Sequence, residues 1–164
     1  MRKENFKHLE CSLARSLDII GEWWTLLIIR DLFYGMNTFD LLCNDLNIAR
    51  NILTNRLKKL ADTGIIQKQY DETKSRKQSY RLTKKGMDLF PVIMALVAWG
   101  DKWEAPNGPP IIFKHQPNGH AAKPGVICTC CGKPLQPKDI RPKKSPNVKR
   151  PNALPMTLRG ADNK

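Results

Sequence analysis

The middle of the chain carries leucines at helical spacing. Leu53, Leu57 and Leu60 share one face of a helix with about 3.6 residues per turn. They belong to the stretch 49–61, which is otherwise mostly polar and basic. The face opposite the leucines carries Asn51, Asn55, Lys58 and Asp62. This pattern predicts a helix that buries its leucines and presents polar groups to its surroundings.

Apolar spacing predicts three helices before this one. An amphipathic helix is expected over residues 12–20, and a strongly apolar helix over 23–33 ends before Gly35. Thr38 is suited to cap a third helix, because its hydroxyl can accept a hydrogen bond from a free backbone N–H of the first turn. The residues of that helix expected to face inward are Phe39, Leu41, Leu42 and Leu46.

The residues after the leucine-rich helix predict a β-hairpin. Gly64 is expected to end the helix, and residues 65–70 and 79–82 have the composition of strands. Between the two strands, residues 71–77 are too polar for a core. They are therefore expected to form a charged hairpin at the surface.

A wide apolar stripe marks the last predicted helix. Thr83 can cap this helix, which extends to Trp103, and Pro91 is expected to bend it. A subunit interface would account for the width of the stripe, and packing on the core of the same chain is the alternative.

The order of these elements predicts the fold class. Helix, turn, helix, strand, charged wing and strand is the order of a winged helix-turn-helix, mainly α with a small β-hairpin wing. Residues 8–104 are expected to form this domain, because eleven of the twelve prolines lie after residue 105. Residues 105–140 are interpreted as a Pro-rich linker and a C-x-x-C-G appendage, and 141–164 as a basic, disordered tail.

The net charge points to a polyanionic partner. Formal net charge is +13 with an isoelectric point near 9.8, which suits DNA, RNA or an acidic membrane surface. About half of this excess lies in residues 133–164, which hold nine Lys or Arg and two Asp or Glu.

A membrane or secreted location is not expected. No apolar run approaches the roughly 20 residues of a membrane span, and the first residues lack the apolar segment of a signal peptide. Five cysteines are an odd number for a fully paired secreted framework, so a reducing cytoplasm is the expected location.

The outer face of the leucine-rich helix has the chemistry of a DNA-recognition helix. From the major groove, an Asn amide can bind adenine through two hydrogen bonds, and Arg or Lys can bind guanine. The residues expected to approach base edges are Arg50, Asn51, Thr54 and Asn55. Lys58 and Lys59 are expected to reach phosphate, and Arg56 either contacts phosphate or pairs with a carboxylate. The alternative is that this face is only solvated.

The wing adds further positive charge. Lys74, Arg76 and Lys77 suit the minor groove or the phosphates beside the recognition site. Charged hairpin tips are often merely solvated, and charge by itself does not separate these two interpretations.

Four segments resemble the HxlR family of bacterial winged-helix regulators. They are C-S-L-A-R-S-L-D-I-I-G-E-W-W-T-L-L-I-I-R-D-L (11–32), I-A-R-N-I-L-T-N-R-L-K-K-L (48–60), Y-R-L-T-K-K-G (80–86) and W-G-D-K-W (99–103). The resemblance spans about residues 9–104 and departs at Trp23, where the family usually has Lys. It implies a homodimer that pairs through its first and last helices and binds palindromic or repeated operator DNA.

Cys11 stands at the start of the first predicted helix. Backbone N–H groups and the dipole stabilise a thiolate there, and Arg15, one turn on, could add to this. HxlR-type regulators that sense quinones, aldehydes, disulfide stress or hypochlorite use a cysteine at this place. The resemblance therefore implies redox sensing at Cys11 with an electrophile or oxidant as effector. The alternative is that a small residue is simply tolerated near the subunit interface.

A second cysteine motif lies in the appendage. Cys128 and Cys131 belong to C-x-x-C-G, the knuckle that bends two thiolates toward one Zn²⁺. His115 and His120 lie close enough in sequence to complete a Cys₂His₂ site.

This zinc site departs from the pattern that it resembles. Some proteobacterial relatives have H-x-x-C-G before the knuckle, and this chain has Asn118 in place of that cysteine. Bound zinc, a metal-free loop and redox-active thiols stay open as interpretations, and the extra Cys130 makes the last two hard to separate.

The sequence therefore favours a dimeric, sequence-specific DNA-binding transcriptional regulator, more often a repressor in this family. The competing interpretation is a winged helix used as a protein-interaction module, whose basic tail binds RNA or an acidic partner. No enzyme and no cofactor other than zinc are expected, because the chain offers neither a nucleotide-binding glycine loop nor a suitably spaced Ser/His/Asp set. A thiol-based redox or metal-handling enzyme built on the C-x-x-C is the remaining enzymatic alternative.

Overall fold

The computed structural model of the chain describes residues 5–6, 8–71 and 77–149. Four helices come first: α1 (Ser12–Ile20), α2 (Trp23–Phe33), α3 (Phe39–Leu46) and α4 (Arg50–Asp62). A hairpin and two more helices follow: β1 (Ile66–Asp71), β2 (Lys77–Leu82), α5 (Lys84–Met87) and α6 (Phe90–Trp103). The bounds predicted for the first two helices are confirmed at both ends. Within the described ranges, no helix is long and apolar enough to cross a bilayer.

The leucine face of α4 lies at the centre of the core. Leu53, Leu57 and Leu60 are buried, as the sequence predicts. They belong to one cluster with α2 residues Ile28 and Ile29, both fully buried. The cluster also includes residues of α3, β1, β2 and α6. Burial of apolar side chains is the largest favourable term in folding, so this cluster holds α4 in place.

A three-residue turn joins α3 to α4. Asn47 adopts the left-handed conformation with φ of 47°, which an Asn side chain tolerates better than most. Ile48 then enters the core, and its carbonyl accepts a hydrogen bond from the Cys43 thiol over 3.1 Å. Thr38 caps α3 by accepting from the N–H of Leu41 at 3.4 Å, as predicted. The Ile48 contacts thus hold the turn against the core, and the Thr38 cap fixes the opposite end of α3.

The prediction that Leu41 faces inward is wrong, because its side chain is 50% exposed. Leu42 and Leu46 define the buried side of α3, and Leu41 lies about 100° around the helix from Leu42, on the far side from Leu46. Packing of Leu42 and Leu46 in the core therefore leaves Leu41 at the surface.

The two strands pair as an antiparallel hairpin, in register from Ile66 opposite Leu82 to Asp71 opposite Lys77. Each strand starts within two residues of its predicted position. Asn37 accepts a hydrogen bond from the Tyr80 N–H over 2.7 Å, and Thr38 forms an isolated bridge with Ser79. The segment before α3 therefore pairs briefly with β2, as a short third strand-like segment beside the hairpin.

The predicted long C-terminal helix is in fact two helices. Thr83 caps α5, as predicted, by accepting from the Gly86 N–H at 3.2 Å, but α5 ends at Met87. Pro91 lies in the first turn of α6 and bends no continuous helix. Proline lacks a backbone N–H and disfavours helical backbone before it, so it starts a helix more readily than it sits inside one.

The appendage consists of two short hairpin-like turns. In the first, His115 donates its backbone N–H to His120 over 2.9 Å; in the second, Cys128 donates to Lys133 over 2.8 Å. The ring of Phe113 lies 6.3 Å from that of Tyr34, at the end of α2. The appendage therefore contacts the winged-helix part. Much of the predicted tail, residues 150–164, lies outside the described residues.

Candidate nucleic-acid interface

The outer face of α4 is exposed along its whole length. Asn51, Thr54, Asn55, Lys58 and Asp62 are all exposed, as the helical pattern predicts. The face runs along the second helix of the helix-turn-helix, which is the one that enters the major groove in proteins of this type.

Three of these side chains make neither a hydrogen bond nor an ion pair within the described part of the chain: Asn55, Lys58 and Asp62. In contrast, Asn51 accepts from the neighbouring Ile52 N–H over 2.9 Å, and Thr54 donates to the Arg50 carbonyl over 2.8 Å. Of these three groups, the amide of Asn55 and the ammonium of Lys58 lie in the middle of the helix, and the carboxylate of Asp62 lies at its end.

Arg50 lies at the start of α4 and reaches back to α3. Its guanidinium stands 4.6 Å from the centre of the Phe39 ring and 3.1 Å from an oxygen of Asp40. The side chains of Arg50 and Asp40 are 70% and 67% exposed, so water screens this ion pair. The pair costs little to break, and Arg50 can exchange the carboxylate for a phosphate.

Arg56 and Lys59 lie on a different side of α4 and face the neighbouring helices. Arg56 forms a 2.8 Å ion pair with Glu22, which precedes α2 and is half-buried. This is the carboxylate pairing that the sequence left open. The Lys59 ammonium donates to the Asp18 carbonyl of α1 over 2.6 Å, which satisfies a backbone acceptor at the end of that helix. Both cations therefore connect α4 to the α1–α2 corner, the segment in which α1 ends and α2 begins.

The predicted wing cations fall largely outside the described residues. This applies to Lys74 and Arg76, whereas Lys77 is the first residue of β2 and pairs with Asp71 in the backbone ladder. Lys68 and Arg81 lie on the described strands and are exposed. The hairpin thus carries cations along its length, beyond those predicted at its tip.

Two residues that the sequence analysis did not single out as site residues fasten the far end of α4. The Thr83 hydroxyl lies 2.6 Å from the Gly64 carbonyl, and Lys85 donates to the Thr63 carbonyl over 2.8 Å. The carbonyls at a helix end lack intrahelical partners, so these contacts satisfy them. The Y-R-L-T-K-K-G motif was the available signal, but its role depends on pairing with residues about twenty positions earlier.

Cys11 is the N-cap residue of α1 and is half-buried. Its backbone carbonyl accepts from the Arg15 N–H over 3.1 Å, but the Arg15 guanidinium pairs with Glu10 at 2.7 Å. The Arg15 guanidinium, which was expected to act on the Cys11 thiol, is therefore engaged by the neighbouring Glu10 carboxylate.

The cysteines of the C-x-x-C-G motif lie in one tight turn, in which the Gly132 N–H donates to the Cys128 carbonyl over 2.7 Å. The Cys128 sulfur accepts hydrogen bonds from the backbone N–H groups of Cys131 and Cys130, which lower the pKa of that thiol. Gly132 closes the turn with φ of 71°.

The predicted Cys₂His₂ set is not assembled among the described residues. His115 and His120 lie in the first hairpin with ring centres 5.3 Å apart, whereas Cys128 and Cys131 lie in the second. No group of three or more His, Cys, Asp or Glu side chains within the described residues could hold a metal ion. Closeness in sequence therefore did not bring the predicted ligands to one point.

The arrangement of α3, α4 and the hairpin defines a winged helix-turn-helix DNA-binding protein. The sequence model of the HxlR-like helix-turn-helix family matches residues 19–107. The chain belongs to this family, and it is a transcriptional regulator with a helix-turn-helix DNA-binding domain.

Similar proteins agree with this assignment. The uncharacterized HTH-type transcriptional regulator Rv3095 of Mycobacterium tuberculosis is 38% identical over 139 residues, covering 84% of this chain and 88% of the relative. The crystal structure of PA1607, for which a transcription-factor function has been suggested, is 35% identical with a TM-score of 0.76. That match covers 83% of this chain and 96% of PA1607. The reduced form of the regulator YodB from Bacillus subtilis is 30% identical, with a TM-score of 0.52, over 60% of this chain and 99% of YodB.

Substitution of a cation that contacts a neighbouring helix and of a cation on the exposed face of α4 should change the stability of the protein by different amounts. Arg56→Ala leaves Glu22 half-buried without its ion pair, and we expect the free energy of unfolding to fall by about 1–2 kcal/mol. Lys58→Ala on the exposed face should change it by less than about 0.5 kcal/mol. Urea unfolding followed by circular dichroism measures both. Equal effects of the two substitutions would contradict the structural role given to Arg56.

Proposed function

We propose that the protein represses transcription as a homodimer that inserts α4 of each subunit into the major groove of a palindromic or repeated operator. The exposed Asn55 and Lys58, with no partner among the described residues, carry this proposal. An Asn amide can donate to and accept from one adenine, and a Lys ammonium can neutralise a phosphate. With chromosomal DNA as its partner, the protein acts in the cytoplasm.

The anchoring of α4 supports the same function. Sequence recognition needs side chains held in a fixed register against the base edges. Contacts at Arg56, Lys59 and Lys85 hold the helix from the side away from the proposed groove. Because these cations are engaged inside the protein, Asn55 would contribute base contacts and Lys58 phosphate contacts, and Arg50, once released from Asp40, would contact a base or a phosphate. The hairpin cations would contact the flanking backbone.

Selection of bound sequences from a random duplex pool tests the proposal. We expect enrichment of two half-sites, with specific affinity falling steeply between about 50 and 200 mM salt. Asn55→Ala should weaken binding to the selected sequence by about 1–3 kcal/mol and hardly affect random DNA. Lys58→Ala should weaken both and reduce the slope of log affinity against log salt by about 1.

Lys138→Ala, a substitution of an exposed lysine in the appendage, is the matched control and should leave sequence preference unchanged. Binding without enrichment of any sequence would refute specific recognition. It would favour the interaction module whose basic tail binds nucleic acid.

Two apolar stripes support pairing of subunits. On α6, four side chains between 42% and 63% exposed recur at helical spacing: Val92, Leu96, Trp99 and Trp103. On α1, Leu13 and Leu17 are exposed one turn apart. Contiguous exposed apolar surface of this kind is typical of protein interfaces. We propose that α1 and α6 of two copies pack together and set the spacing of the two recognition helices.

Leu96→Glu should break this pairing, because the new carboxylate would be buried against apolar side chains without a partner. We expect the dissociation constant of the dimer to rise by at least about 100-fold, measured by sedimentation equilibrium. Ile112→Glu is the control, since Ile112 is 68% exposed but lies outside both stripes. Equal dissociation of both variants, or of neither, would contradict the proposed interface.

Cys11 is our proposed switch within this dimer. It is the N-cap residue of α1, two residues before the exposed Leu13, so an adduct or a disulfide there would disturb the proposed interface. HypR, a redox regulator known in an oxidised form, is 26% identical with a TM-score of 0.52 over 56% of this chain and 96% of HypR. Two half-sites about 34 Å apart demand a fixed separation of recognition helices. A change in pairing would therefore release the operator.

Cys11→Ser should retain operator binding and lose its release by diamide, which takes two electrons and two protons from a pair of thiols. The measurement is fluorescence anisotropy of labelled operator before and after treatment. A variant with Ser at Cys128, Cys130 and Cys131 is the matched control and should still respond. Release that persists in Cys11→Ser but disappears in the triple variant would place the switch in the knuckle instead.

A further inference from the structure

A cavity of about 1110 Å³ lies between α6 and the two hairpins of the appendage. Its floor is one face of α6, formed by Phe90, Met94 and Ala98 at four-residue spacing. The hairpins form its roof, which includes Val126 and Ile127. Sites for small molecules are concave and mainly apolar, with volumes of about 300–1,000 Å³, so this cavity has room for a compound of that size.

The polar groups of the cavity are all basic or neutral. Lys114 and Lys123 contribute positive charge, and the neighbouring rings of His115 and His120, with centres 5.3 Å apart, contribute ring nitrogens. None of the described residues that line the cavity is Asp or Glu. An apolar floor with a basic rim complements a molecule that has an apolar body and an anionic end.

The faces of α6 argue against a second copy as the occupant. Ile93 and Val97 pack into the core, and successive residues of a helix are about 100° apart. On that geometry, the exposed stripe containing Leu96 and Trp99 lies on one side of the core-facing residues. The cavity face lies on the other side. A partner that packs on the stripe leaves the cavity accessible.

The tail of the chain does not suit the cavity either. Residues 150–164 contain Arg150, Arg159 and Lys164 against a single Asp162, so their net charge has the same sign as the rim. Like charges repel, and the tail would have to bring its cations beside Lys114 and Lys123.

We propose that the cavity between α6 and the appendage binds a small organic acid with an apolar body, such as a medium-chain or aromatic carboxylate. The apolar part lies on Phe90, Met94 and Ala98, and the carboxylate lies between Lys114 and Lys123. The site is separate from the DNA-binding face. Ligand binding to the isolated protein therefore tests it independently of operator binding.

Fluorescence titration of the full chain with dansyl-labelled undecanoic acid tests this proposal. We expect one saturable site per chain, with the uncharged methyl ester binding about tenfold more weakly because it loses a charge-assisted contact. The double variant Lys114→Gln/Lys123→Gln should bind the acid as weakly as the ester. Lys143→Gln, an exposed lysine outside the cavity, should bind both as the unaltered protein does.

Ala98→Trp should fill the floor of the cavity and weaken binding of the acid and the ester alike. Equal affinity for acid and ester, uptake of several probes without saturation, or a double variant that matches Lys143→Gln would each overturn the proposal. So would an Ala98→Trp chain that changes only dimerisation, since a second copy would then be the occupant. If Ala98→Trp does not fold, the lysine pair decides the outcome.

Discussion

The packing of the α4 leucines on α2 is the contact on which the rest of the structure depends. Leu53, Leu57 and Leu60 are buried together with Ile28 and Ile29, and each such side chain contributes about 1.5–3 kcal/mol when fully buried. Because a helix has one buried face and one opposite it, fixing the leucines inward also fixes the polar face outward. One apolar contact therefore both stabilises the domain and orients the surface that we propose binds DNA.

Polar contacts add direction to this packing. Arg56 and Lys59 tie α4 to the α1–α2 corner, and Thr83 and Lys85 hold its far end against the hairpin. Burial of one polar group in the core has a free-energy cost. Burial raises the pKa of Asp31 above its usual value, although Arg30 bonds to one oxygen at 2.8 Å and offsets part of the loss of water. Such contacts orient helices that apolar packing alone would leave free to shift.

Helix α6 links the parts of the molecule that lie outside the recognition unit. One face packs into the core, a second is the exposed stripe proposed to pair subunits, and a third lines the cavity beneath the appendage. Because these faces belong to one rigid helix, a ligand in the cavity contacts the same element that would set the distance between recognition helices. The appendage, docked through Phe113 against Tyr34, makes the third face into a site.

The sequence by itself determined the features that depend on local periodicity. These are the bounds of α1 and α2, the buried leucines, the outward Asn55 and Lys58, and the order of the two paired strands. Each follows from the spacing of apolar residues and from caps and turn residues a few positions away. The family resemblance drawn from the same segments is also confirmed.

Only the tertiary structure decided which residues that are distant in sequence come into contact. It turned Arg56 and Lys59 toward α1 and α2, exposed Leu41, and placed the predicted histidine and cysteine ligands in separate hairpins. It also brought the appendage over α6 and so created the cavity. The local sequence around a charged or apolar residue is the same whether that residue contacts solvent, a carboxylate or a backbone carbonyl. Its role depends on which distant segments packing brings within hydrogen-bonding or van der Waals distance.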